Sequence, residues 1–186
     1  MRRVCLSALS LLLACSSFAS PLVAFPKAGQ LVSPDGRFVV RTAEHDRTAG
    51  DFVGSFRSLW LVEVATGRAR KLCDYWGTTM AGWSGEDFLI VTQYMSKKTS
   101  RTFLFSAANP DAVVVLDTPT LIQLLPPDSR DMLRGNDHVF IEGSRVQGDA
   151  LYLRVWGYGA RDVNGFRWSC SYSIHDGNLS CREEFH

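Results

Sequence analysis

The chain has 186 residues, with 20 Lys and Arg against 19 Asp and Glu, a formal net charge of +1, and 46% hydrophobic residues. This near-neutral balance argues against a nucleic-acid or polyanion binder that works by bulk charge. Beyond the N-terminal segment no apolar run reaches the roughly 20 residues of a membrane-spanning helix, and the length is that of one ordinary domain with a real core.

The chain opens on Met1-Arg2-Arg3, then an uncharged apolar run from Val4 to Ala14, then small residues. A basic start, an apolar centre and a small-residue exit predict a signal peptide over residues 1–19 and a single β-rich domain over 20–186. Ser17-Phe18-Ala19 offers a cleavage site that frees a soluble chain from Ser20. The alternative is Leu12-Leu13-Ala14-Cys15, which resembles a bacterial lipobox and would make Cys15 a lipid-bearing first residue. The expected location is periplasmic or secreted, with a lipid anchor on the outer membrane as the alternative. Loss of Arg2 and Arg3 leaves 18 basic against 19 acidic residues. Beyond Cys15 three cysteines remain, Cys73, Cys170 and Cys181. Export permits a disulfide, and an odd number leaves one thiol over. No CxxC pair exists to suggest a thioredoxin-like or zinc-ribbon site.

Strand-like runs separated by turn residues fill the rest. In order they are Phe38–Val40, Leu59–Val64, Phe88–Thr92, Arg101–Phe105, Val113–Leu116, Val139–Ile141, Leu151–Trp156 and Phe166–Ile174. The last alternates cleanly, with Phe166, Trp168, Cys170, Tyr172 and Ile174 on one face, which marks a half-buried antiparallel strand. Helix is expected only within 117–135, where Thr118-Pro119 can start a turn, Pro126-Pro127 stops it, and Asp128–Leu133 can form another. Turn glycines are predicted at Asp35-Gly36, Asn164-Gly165 and Asp176-Gly177.

The strand lead-ins repeat. Ser33-Pro34-Asp35-Gly36-Arg37 precedes one strand, Trp83-Ser84-Gly85-Glu86-Asp87 the next, and Gly135-Asn136-Asp137 a third, some 50 residues apart each time. With Leu59-Trp60-Leu61-Val62-Glu63-Val64-Ala65-Thr66-Gly67-Arg68, the first of these resembles the WD-like repeat of TolB-type β-propellers. The likeness is best over residues 31–72 and looser over 83–116. Leu124-Leu125-Pro126-Pro127-Asp128 is similar to the lead-in between blades of prolyl-oligopeptidase-like enzymes. The resemblance implies an all-β fold of antiparallel meanders in about three blade-like units, an irregular or incomplete propeller, since closed ones carry four or more blades. A β-sandwich of the same meanders is the alternative. No hydrolase domain accompanies the repeats, so the resemblance brings no nucleophile.

Catalytic signals are missing from the sequence itself. His45, His138, His175 and His186 show no metal-ligand spacing, Gly82-Trp83-Ser84-Gly85 departs from the nucleophile elbow, and no carboxylate pair is proposed by spacing. No enzyme, metal or cofactor is expected. Two stretches suggest binding. Lys97, Lys98 and Arg101 sit at a predicted hairpin tip, where three cations stay in water. Trp156, Tyr158 and Arg161 lie in a glycine-flanked stretch running to Gly165 that suits a presented recognition loop. The expected function is therefore exported binding of another envelope or secreted protein, with an immunity-type inhibitor of a secreted toxin as a specific version. A small-molecule or glycan-binding envelope module is the alternative. Membrane contact is expected only through Cys15.

Cys170 and Cys181 flank a predicted hairpin. A two-residue turn at Asp176-Gly177 puts them on one face but diagonal, whereas a three-residue turn sends them to opposite faces. Their apolar neighbours favour the shared face and a Cys170–Cys181 disulfide, leaving Cys73 unpaired.

Overall fold

The computed structural model describes residues 21–49, 52–109, 111–159 and 162–184, with side chains for all of these except 45–49, 52–55 and 162–164. The expected signal peptide, Cys15 and Arg161 lie outside the described residues. Strands run in chain order as β1 (Val23–Phe25), β2 (Gln30–Val32), β3 (Phe38–Ala49), β4 (Phe52–Glu63), β5 (Ala69–Tyr75), β6 (Thr79–Ser84), β7 (Phe88–Tyr94), β8 (Ser100–Ser106) and β9 (Val113–Leu116). Two helices follow, α1 (Thr118–Leu124) and α2 (Pro127–Arg134). The chain then returns to β10 (His138–Gln147), β11 (Ala150–Gly159), β12 (Asp162–Ser173) and β13 (Leu179–Glu183).

These strands make three antiparallel sheets, ordered β2-β3-β4-β5, β1-β6-β7-β8-β9 and β10-β11-β12-β13. The middle sheet is buried on both faces. Leu89 and Val91 of β7, with Phe103 and Phe105 of β8, pack against Phe38, Val40, Leu59 and Leu61 of the first sheet. Their neighbours Ile90 and Leu104, with Leu116 of β9, pack instead with Ile141, Leu151, Val155 and Trp168 of the last sheet. Two-sided burial explains why β7 to β9 read as continuous apolar runs while β11 and β12 alternate. The helices fill the second core through Leu121, Leu125 and Leu133. Asp117 caps α1, its Oδ1 accepting from Thr120 N–H at 2.9 Å, and Pro127 opens α2 where no N–H is needed.

The all-β fold of antiparallel meanders is thus present, in three units, but the likeness to a TolB-type propeller does not hold. A propeller closes its blades round a channel, whereas these sheets stay open and stack in a sandwich-like order. The Ser33–Arg37 phrase has a local explanation. Ser33 Oγ donates to Asp35 Oδ1 at 2.7 Å and accepts from Phe38 N–H at 2.9 Å, while Gly36 takes φ +72°. That is a hairpin turn, and any antiparallel sheet can use it.

The last sheet meets the middle one through hydroxyls. β10 is an edge strand, so its outward N–H and C=O groups need partners. Ser100 Oγ donates to Ile141 O at 3.1 Å and accepts from Ile141 N–H at 2.7 Å. Ser84 Oγ does the same for Val146, at 3.1 and 2.7 Å.

Cys170 and Cys181 form a disulfide. They are directly opposite, not diagonal as the two-residue turn predicted. The connection runs from Ile174 to Asn178, closed by Ser173 N–H donating to Asn178 O at 2.9 Å. Asp149 shapes it, accepting from His175 N–H at 3.0 Å and Ser173 Oγ–H at 2.6 Å. The longer turn shifts the register by two, so the shared face survives and the separation closes. Cys73 is a buried free thiol.

Candidate functional site

Antiparallel pairing gathers several connections at one end. Thr79 pairs with Gln93 and Tyr94 with Ser100, so the Trp76–Thr78 turn lies beside the β7–β8 hairpin. Trp76 Nε1–H donates to Met95 O at 3.2 Å across the two. The hairpin in turn touches β10, where Val139 N–H donates to Lys98 O at 2.8 Å, and His138 pairs with Tyr158. The β3–β4 ribbon runs to the same end. Beyond Arg41 on β3 and before Arg57 on β4, no third strand pairs with it among the described residues.

Three large apolar side chains are exposed here, Trp76 (51%), Met95 (40%) and Tyr158 (42%). Lys97 and Lys98 stand beside them, exposed at the hairpin tip and without an ion pair among the described residues. Arg101 does not share that tip. It is on β8, where its Nε–H donates to Gln93 Oε1 at 2.9 Å and its guanidinium lies 4.8 Å from the Phe103 ring centre. Gln93 in turn donates to Asp74 O at 2.5 Å, so Arg101 belongs to a structural network.

Trp156 and Tyr158 are brought together, but on β11 and not in a loop. The β11–β12 connection comes later, and Gly165, expected at the turn, lies inside β12 with φ +69°. The two rings sit on the outer face of the sheet, since Val155, next to Trp156 on β11, and Val139 and Ile141 on β10 face the core. Each stacks on a β10 ring. His138 and Tyr158 have centres 4.4 Å apart with planes within 8°, and Phe140 and Trp156 are 4.1 Å apart within 20°. Tyr94 closes the strip from β7, its ring 6.5 Å from Phe140 and its hydroxyl donating to Glu142 Oε1 at 2.9 Å. Burial, with that carboxylate, raises the Tyr94 phenol above its ordinary pKa. Gly157 permits the close packing, because a Cβ there would come within 2.5 Å of His138 O.

Trp76, Met95, His138 and Phe140 were not singled out as site residues by sequence reasoning. Trp76-Gly77 between two strand runs was the available signal for a presented aromatic. The pairing of His138 with Tyr158 depends on register.

Beside Trp156 and Tyr158 lies a slot of about 400 Å³ that reaches Arg167, Glu183 and Glu184. A cleft of about 410 Å³ at the other end, between the first two sheets, is lined by Phe38, Leu61 and Arg68 and carries the Arg70–Asp111 ion pair of 3.1 Å. Among the described residues no three His, Cys, Asp or Glu side chains are placed to hold a metal, and no helix is long and apolar enough to cross a membrane. No protein-family model, curated protein or solved structure matches the chain.

Proposed function

We propose that the chain is an exported, non-catalytic binding protein that docks an acidic surface of another envelope or secreted protein through the end described above. The observation that carries this reading is the meeting of exposed Trp76 and Met95 with exposed Lys97 and Lys98, which have no ion pair among the described residues. Aromatic anchors ringed by polar groups supply most binding energy at protein interfaces, and free cations steer an acidic partner. Export is supported by the pattern of residues 1–19, and the Cys170–Cys181 bond is compatible with an oxidising compartment. An immunity-type inhibitor is one form of this reading, for which the two-stranded β3–β4 ribbon offers an insert.

The test compares envelope extract captured on the wild-type protein and on Lys97→Glu/Lys98→Glu. A protein retained by the first and lost by the second, and rebinding the wild type in purified form, is the expected result. Identical captured sets on both would remove the reading.

A further inference from the structure

We propose that the outer face of the β10–β13 sheet carries a second site, adjoining the docking end at Tyr158, a slot for the pyranose rings of a neutral oligosaccharide with equatorial hydroxyls. This inference stands independently of the protein-docking reading.

The geometry begins with the stacked rings. His138 and Phe140 cover one face each of Tyr158 and Trp156, from the β10 side. β11 lies between β10 and β12, so the second faces of Tyr158 and Trp156 look towards β12. Their centres are 6.1 Å apart along the strand with planes within 17°, which makes one nearly flat aromatic wall. On the β12 side Arg167 is in register with Trp156. Next to Tyr158 stands Gly165, which has no side chain, and a Cβ there would lie 3.2 Å from the Tyr158 Cβ. The space so left is the slot of about 400 Å³, closed at its far side by Arg167 and Glu184, while Glu183 at its edge pairs with Trp168 and belongs to the core-side face. Its rim is anchored. Glu184 N–H donates to Arg167 O at 2.9 Å, and Ser169 Oγ–H donates to the Glu184 carboxylate.

The chemistry selects the ligand. A pyranose with equatorial hydroxyls presents only C–H on its two faces and hydroxyls round its edge. The faces suit an aromatic wall, and wall contact of this kind is favourable without a fixed polar partner. Each hydroxyl both donates and accepts. The rim supplies the guanidinium donors of Arg167 beside the carboxylate oxygens of Glu184, a combination that serves neighbouring hydroxyls. A charged ligand meets a like charge on one side of this mixed rim. An aromatic protein side chain leaves the rim groups without new partners. A neutral polyol satisfies both.

The test titrates cellohexaose and chitohexaose into the full disulfide-bonded protein, read by calorimetry and by tryptophan fluorescence. At least one should bind with a dissociation constant between about 1 μM and 1 mM. Tyr158→Ala and Arg167→Ala should each weaken that binding about tenfold or more, with melting temperature held as control. Arg167 is exposed, and so is Tyr158 although it stacks on His138, whereas Trp156 is half-buried against the buried Phe140, so these two substitutions, with the melting temperature beside them, separate recognition from folding. Lys97→Glu/Lys98→Glu should leave sugar binding unchanged, which keeps the two sites distinguishable. Absence of binding by both sugars at about 10 mM, or binding indifferent to both substitutions, overturns the proposal.

Discussion

Gly143 on β10 donates its N–H to Thr102 Oγ1 on β8 at 2.9 Å, a backbone-to-side-chain bond between two different sheets. The same hydroxyl donates to Ile141 O at 2.9 Å, and Thr92 Oγ1 also accepts from Gly143 at 3.2 Å. The approach is possible because Gly143 has no side chain, since a Cβ would come within 2.6 Å of Ile90 Cγ2 and 2.7 Å of Thr102 Cγ2.

Gly143→Ala should destabilise the protein by about 1–3 kcal/mol through overpacking. Thr102→Val keeps the shape and removes the hydroxyl, and should cost about 1–2 kcal/mol, because Ile141 O and Gly143 N–H keep only their second partners. Denaturant unfolding measures both: the midpoint should fall with an unchanged slope. A neutral Thr102→Val would mean that the hydroxyls do not join the sheets.

Breaking the Cys170–Cys181 bond with Cys181→Ser should lower stability by about 2–3 kcal/mol, as expected for a short closed loop. Non-reducing peptide mapping of the oxidised protein should recover that crosslink with Cys73 free. A crosslink to Cys73 contradicts the structure, in which Cys73 is buried on β5.

Burial pushes the Cys73 thiol up to about 12 from an ordinary 9.0. Below about pH 9 the thiol is neutral whether folded or unfolded. Above it the unfolded chain loses this proton first, so the contribution of Cys73 to stability declines between the two values. Native protein at pH 9 should therefore resist iodoacetamide, and denaturant should expose one fast-reacting thiol. Rapid labelling without denaturant would show that the β5 region opens readily.

The Ser33 hydroxyl, then Arg37, holds the Asp35 carboxyl down at about 2, below its ordinary 3.8. A depressed carboxyl stabilises the fold above its unfolded pKa, and that contribution is lost as pH falls towards about 2. Carboxyl NMR titration should give the low value in the wild type. Ser33→Ala should return it towards the ordinary range, and a titration unmoved by that change would assign the shift to Arg37 alone.

Neutralising Lys97 and Lys98 to Gln should slow association with the protein partner roughly tenfold at low salt and flatten its salt dependence. Trp76→Ala should act on dissociation instead, as loss of a buried anchor does. Arg101→Gln, by contrast, should change stability more than association, because Gln93 and Phe103 hold that guanidinium. An association rate that follows Arg101 and ignores the two lysines would move the docking surface from the hairpin tip onto β8 of the middle sheet.

Much of this protein is local and was legible in the chain. The continuous runs of β7 to β9, the alternation in β12, the two short helices between Asp117 and Gly135, and the Ser33–Arg37 turn all follow from periodicity, proline placement and turn chemistry. So does the shared face of Cys170 and Cys181, because parity along a strand is fixed at two. β6 escaped notice because Thr79-Met80-Ala81-Gly82-Trp83-Ser84 lacks a β-branched or aliphatic run, yet both its faces are covered. What tertiary structure decided were the quantities that depend on stacking and register. The Ser33 phrase suggested a propeller, but only the way in which the sheets face one another tells an open stack from a ring. The glycine-flanked stretch from Trp156 suggested a loop, but the chain stays extended through Tyr158 because Gly157 and Gly165 let neighbouring strands approach. Arg101 left the hairpin tip because one residue along a strand reverses the face. Trp76, Met95 and Lys98, and likewise His138 with Tyr158, are distant in sequence and meet only when β5 to β8 and β10 to β11 are paired, since register between strands is set by the turns and cores that close them.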